Sequence, residues 1–214
     1  NKQYKSQHFR ATIEKTDSIY LSVSELEKIY QTDCKIERLN KVKDLFLIGA
    51  FTGLRFSDFV SLNSDCIKNN IIHIEQKKTG NRVSIPLHPI VAEIWQKYGQ
   101  KLPDPISNQK FNDYIKEVCQ IAGIDSPEQK HITKGGVRVC QTFKKYELVT
   151  SHTARRSFAT NLYLSGFPAI SIMQITGHRT EKAFMAYIRV TSEQHAELLR
   201  THWIKKGQYL KIAK

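Results

Sequence analysis

The amino-acid sequence predicts an α+β fold, mainly α-helical with a small antiparallel β-sheet. Three observations predict it. Apolar residues recur at three- and four-residue spacing through most of the chain. Between residues 71 and 87 the period falls to two, around a Thr79-Gly80-Asn81 turn. The four cysteines, Cys34, Cys66, Cys119 and Cys140, contain no C-x-x-C pair and lie in unrelated segments, which suggests neither a zinc site nor a disulfide framework. A chain of 214 residues buries a sizeable core without such staples. The cysteines read as reduced thiols packed in a cytosolic protein.

The elements follow in order. Residues 1–20 are polar, basic and weakly patterned, and read as a linker. Ser22 with Glu25 three residues on forms a capping box, and Leu26, Ile29 and Tyr30 follow at helical spacing. A second helix runs from about Leu39 to Thr52 with Val42, Leu45, Phe46, Ile48 and Gly49 inward, and Gly53 stops it. A short helix spans about Phe56 to Leu62. Ile71 to Gln76 and Arg82 to Leu87 are strands of one hairpin, closed by Pro86 and Pro89. His88 to Tyr98 and Asn108 to Ala122 are helical, the second ended by Gly123. Val137 to Phe143 alternates like a strand after a Gly135-Gly136 turn. Helices follow over Thr153 to Ser165, Pro168 to Thr176, Glu181 to Ile188 and Ser192 to Lys206. The last is amphipathic, with Leu198, Leu199, Trp203 and Ile204 on one stripe that must be buried somewhere.

Charge narrows the function. Lys and Arg number 33 against 20 Asp and Glu, a formal net charge of +13. A surplus of that size points to a polyanionic partner, most often nucleic acid. No run of 18 apolar residues is present, so a membrane-spanning helix is excluded. The opening Asn1-Lys2-Gln3-Tyr4-Lys5 has no initiator Met and no apolar signal core, as expected of an excised fragment or processed product.

Five local features could carry chemistry. They are Thr52-Gly53-Leu54-Arg55, Lys77-Lys78-Thr79-Gly80, His152-Thr153-Ala154-Arg155, Thr176-Gly177-His178, and Tyr187 within Phe184-Met185-Ala186-Tyr187-Ile188. Singly, each has an ordinary structural reading: a junction arginine, a turn lysine, a polar helix cap, a structural histidine, a core aromatic. Their order and spacing together resemble the catalytic domain of the tyrosine recombinases, the lambda-integrase-like family. TGLR followed by Ser57-Asp58 resembles the family's first arginine segment. KKTG between strands resembles its hairpin lysine. His152 to Thr160 resembles the H-x-x-R box, Gly177-His178 the second histidine box, and Tyr187, nine residues later, the nucleophile. The match spans about residues 22–206, and the Lys/Asn/Ile content resembles integrases of mobile elements.

The resemblance implies a tyrosine recombinase catalytic-domain fold and a site-specific recombinase working through a 3′-phosphotyrosine. It implies domains 1–20, a linker from a missing core-binding domain, and 21–214, the catalytic domain with its helix 192–206. Tyr187 is then the nucleophile, and a phenol with a pKa of about 10 needs nearby cations or a base. Arg55 and Arg155 clamp the phosphate, since a guanidinium stays charged and bonds two oxygens at once. Lys78 protonates the leaving 5′-oxygen, His152 is the acid–base partner of Tyr187, and His178 donates to the phosphate. As a hairpin residue, Lys78 is expected to stand away from the other five without DNA. Lys77, Arg82, Lys134, Arg156 and Arg179, beside catalytic positions, are expected on the DNA backbone. No Asp/Glu cluster resembles a two-metal site, so no metal and no cofactor is expected. Expected partners are double-stranded DNA, further protomers in a tetrameric synapse, and accessory DNA-bending proteins, in the bacterial cytoplasm at the nucleoid. A type IB topoisomerase-like enzyme is the alternative; the Thr153-Ala154 filling and the Gly-His box favour an integrase. A DNA-binding relative without catalysis would lack one of the six residues, and all six are present.

Overall fold

The computed structural model describes residues 18–104, 106–134, 137–188 and 190–206, with no statement on the side chains of Lys134, Val137, Lys205 and Lys206. It is mainly helical with small antiparallel sheets, as the periodicities require. Helix α1 (Val23–Gln31) starts on the expected capping box: the Glu25 amide donates to Ser22 Oγ, and the Ser22 amide to Glu25 Oε2. Helix α2 (Glu37–Thr52) buries nearly every residue from Val42 onward. An apolar surface on all sides places a helix in the middle of a domain. It does so here, with α1, α4 (Pro89–Lys97), α5 (Asn108–Ile121) and α6 (Ser151–Leu164) packed around α2. The buried carboxylate this leaves on α2, Asp44, is matched by Lys97 Nζ at 2.7 Å and by the Tyr98 hydroxyl at 2.8 Å.

After the short α3 (Phe56–Phe59), the chain forms a three-stranded antiparallel sheet in the order β1-β2-β3. Strands β2 (Ile71–Glu75) and β3 (Arg82–Pro86) are the expected hairpin, with His73 opposite Ser84 and Glu75 opposite Arg82. The two-residue β1 (Ile67–Lys68) is too short to leave a periodic signal. A second hairpin pairs β4 (Pro127–Lys134) with β5 (Val137–Lys144). The sequence pattern identified only the second of these strands, because Pro127 and the charges of 127–134 suppress the strand signature. The expected Gly135-Gly136 turn lies outside the described residues.

Helix α6 begins two residues before its expected start, so His152 and Arg155 stand in its first turns. Helices α7 (Ala169–Thr176) and α8 (Glu181–Tyr187) pack on its outer half around Phe158, Ala159, Ile172, Phe184 and Ile188. The chain just past the stretch expected as a linker is fixed against α6. The Leu21 amide donates to Ser157 Oγ, Asn161 Nδ2 donates to the Leu21 carbonyl, and Leu21 is fully buried. Helix α9 (Ser192–Lys206) leaves Leu199, Trp203 and Ile204 about half exposed, at 48%, 48% and 55%. Its stripe is therefore not covered by the core of its own chain among the described residues. No helix among them is long and apolar enough to cross a membrane.

Candidate active site

The site begins where α2 stops. Gly53 adopts φ 67°, and a Cβ there would lie 2.3 Å from the Phe158 ring. Glycine alone meets both demands. The reversal presents Arg55 two residues later, at the N-cap of α3, and aims the Gly53 carbonyl at Arg155, whose Nη1 donates to it at 2.5 Å. One turn thus places both arginines. Burial pushes the Arg155 pKa down to about 10, still far above neutrality, so the side chain keeps its charge.

His152 sits at the N-terminal end of α6, where amide groups favour an anion. That helix start is held from outside: the Ser151 amide donates to Asn112 Oδ1 and the Ser151 hydroxyl to Asn108 Oδ1. Burial of its inner side, then Arg156, Arg155, Lys78 and Arg55, lower the His152 pKa. The imidazole is therefore neutral at pH 7 and able to accept a proton.

Lys78 lies in the β2–β3 turn, and Asp58 holds that turn. Fully buried on α3, Asp58 accepts from the Lys77 amide at 3.1 Å through Oδ1. Lys78 lines a pocket of about 250 Å³ together with Arg55, Ser57, Asn108, Ser151, His152 and Arg155. The expectation that Lys78 stands apart without DNA does not hold for Arg55, His152 and Arg155, with which it shares this pocket.

Tyr187 is the withdrawn member. Its hydroxyl is buried without a hydrogen-bond partner among the described residues. Burial raises its pKa, against the pull of Arg156, Arg155 and Arg55. Its ring lies 4.7 Å from that of His178 and 4.7 Å from the Arg156 guanidinium carbon. His178 Nδ1 pairs with Thr176 Oγ1 at 2.8 Å. Burial and the two arginines push its pKa down to about 4, so it is an uncharged hydrogen-bonding group at neutral pH.

The phage integrase family profile matches residues 20–194, and all six residues lie inside that span. The chain belongs to the phage integrase family. It is similar to the tyrosine recombinase XerD of Listeria monocytogenes serotype 4b, 28% identical over 142 residues, covering 65% of this chain and 47% of the relative. The chain therefore spans about half the length of the curated relatives it matches. Among solved structures it is similar to the XerA recombinase (TM-score 0.63, 17% identity, 86% of this chain and 63% of that one). It is also similar to a lambda integrase dimer bound to a COC′ core site (TM-score 0.61, 19% identity, 85% and 63%). These likenesses place the chain in the tyrosine recombinase catalytic-domain fold.

Within this integrase domain the expected DNA-contact residues divide. Lys77 and Arg179 are exposed. Arg82 is exposed and pairs loosely with Glu75 across the hairpin at 3.4 Å, a contact worth little in water. The Lys134 side chain lies outside the described residues. Arg156 is turned onto Tyr187, the expected nucleophile: Nε donates to the Tyr187 carbonyl at 3.1 Å and the guanidinium covers the ring. Sequence reasoning missed Gln76, Asn108 and Ser151. Gln76 alone left a signal, a polar residue on the inward-facing side of a strand after Ile72 and Ile74.

Proposed function

We propose that this chain is the catalytic domain of a site-specific DNA recombinase, an integrase that cleaves and rejoins DNA through a 3′-phosphotyrosine to integrate or excise a mobile element. One observation carries the reading: Arg55, Lys78, His152 and Arg155 converge on one pocket, with the Tyr187 ring packed behind them against His178. The arginines and the α6 N-terminus hold the non-bridging phosphate oxygens. The Tyr187 oxygen attacks phosphorus while its proton passes to neutral His152. The bond from phosphorus to the 5′-oxygen breaks, and Lys78 protonates that oxygen. The phosphotyrosyl bond keeps the phosphodiester energy, so a second 5′-hydroxyl reverses the step without ATP. Lys77, Arg82, Arg179 and Lys134 add backbone contacts that give affinity and salt dependence. The setting is the bacterial cytoplasm, at the nucleoid. The test is covalent trapping on nicked suicide duplexes bearing candidate sites. A denaturant-resistant adduct at the 3′ end supports the reading; no adduct on any site, with binding intact, refutes it.

A sulfur-bridged substrate isolates the proton donor. Sulfur leaves without protonation, so Lys78→Ala is expected to cleave a 5′-phosphorothiolate almost as fast as wild type, while Arg55→Ala stays slow. Failure of sulfur to rescue Lys78→Ala moves the acid elsewhere.

The exposed α9 stripe supports assembly with other protomers, in a tetrameric synapse with accessory bending proteins. It favours that over strand relaxation by a single topoisomerase-like unit. A chain cut after Val190 is expected to keep its melting temperature within about 3 °C, since so little of that stripe is buried in its own chain. It is expected to bind DNA but lose cooperative assembly. A sharp fall in melting temperature would mean that α9 stabilises its own core.

A further inference from the structure

We infer that Gln76 is a positioning residue that ties the Arg55 clamp, the Lys78 turn and the Gly177-His178 segment into one unit. This rests on reading the pocket as a phosphate clamp.

Gln76 follows β2, and a two-residue period carries it to the same side as Ile72 and Ile74. It is fully buried. A buried amide is costly unless bonded, and this one is bonded on both ends. Its Oε1 accepts from Arg55 Nη1 at 2.7 Å and from the Thr79 hydroxyl at 2.9 Å. Its Nε2 donates to the Ile175 carbonyl at 2.8 Å. The orientation of the amide is dictated chemically. A guanidinium only donates and a carbonyl only accepts, so oxygen must face Arg55 and nitrogen must face Ile175.

The main chain of Gln76 builds the turn as well. Its carbonyl accepts from the Thr79 and Gly80 amides, and its amide donates to the Asn81 carbonyl. Lys78 stands inside that loop. On the far side, Gly177 has φ 65°, and a Cβ there would lie 2.8 Å from Gln76 Oε1 and 3.6 Å from Arg55 Nη2. The glycine before His178 is therefore the space that admits the Gln76–Arg55 pair. One residue thus touches three segments that bring chemistry to the phosphate. A neutral amide suits the place, because it fixes one arm of Arg55 without cancelling the charge. Glutamate would pair with Arg55 and repel the incoming phosphate.

The test is single-turnover cleavage of a nicked suicide duplex at saturating DNA. Gln76→Met keeps length and volume and removes the polar contacts. It is expected to slow cleavage at least tenfold, with DNA affinity within about threefold of wild type. Gln76→Glu is expected to be at least as slow. On an Arg55→Ala background, Gln76→Met should cost less than about threefold further, because the group it positions is already gone. A general loosening of the fold would multiply the losses on both backgrounds. Thermal melts check folding; if Gln76→Met does not fold, Gln76→Asn, one methylene shorter and still polar, takes its place in the same cycle. A Gln76 variant within threefold of wild type, or an equal loss on both backgrounds, overturns the inference. Absence of an adduct with the wild-type chain would instead refute the proposed recombinase activity.

Discussion

Tyr187→Phe is expected to abolish cleavage and the covalent adduct while leaving DNA binding nearly intact. Only the phenolic oxygen is lost. The ring contacts with His178 and the Arg156 guanidinium survive, and the buried hydroxyl, though near Arg155, has no partner within hydrogen-bond geometry among the described residues. Removing a buried, unpartnered hydroxyl should leave the melting temperature unchanged or slightly raised, because an unsatisfied polar group is itself costly. The measurement is denaturing electrophoresis of labelled suicide substrate beside a binding titration. A persistent phosphotyrosyl adduct would move the nucleophile. Tyr163 is the alternative by sequence context, yet its ring packs against Phe184 and His195 rather than into the phosphate pocket.

What the sequence discloses depends on where each residue's reason lies. The helices and the first hairpin are local events, written in periodicity, the Ser22–Glu25 box and the stop at Gly53. The six expected catalytic residues stood out only through the resemblance of their order and spacing to the tyrosine recombinases, since singly each has an ordinary structural reading. Gln76 left only the hint of an inward strand position, because its partners Arg55 and Ile175 lie 21 and 99 residues away and meet it only after folding. Strand β4 was masked by its charges. The α9 stripe was legible as an apolar face that needs cover, and Leu199, Trp203 and Ile204 stand about half exposed on it. Arg156 shows the opposite limit. Its place beside a catalytic position suggested the DNA backbone, while packing also sets its guanidinium over the Tyr187 ring and its Nε on the Tyr187 carbonyl.

Arg155→Ala and Arg55→Ala are each expected to slow cleavage on the order of a hundredfold or more, about 2.7 kcal/mol of transition-state stabilisation. Their positions separate what else is lost. Arg55 is partly open to the pocket, and after its removal Gln76 Oε1 still accepts from the Thr79 hydroxyl. Its melting temperature should stay near wild type. Arg155 is 4% exposed and donates to the Gly53 carbonyl at the reversal after α2. Its removal leaves that carbonyl unpaired and a cavity beside Tyr187, so Arg155→Ala should also melt lower. Arg155→Lys separates the two losses. A lysine retains the charge but not the planar fork that reaches both a carbonyl and a phosphate. It should recover part of the stability and little of the rate. The comparison is single-turnover cleavage beside thermal melts for all three variants. A change under about threefold in cleavage at either arginine would remove that residue from the phosphate clamp, since losing one preorganised donor elsewhere costs far more.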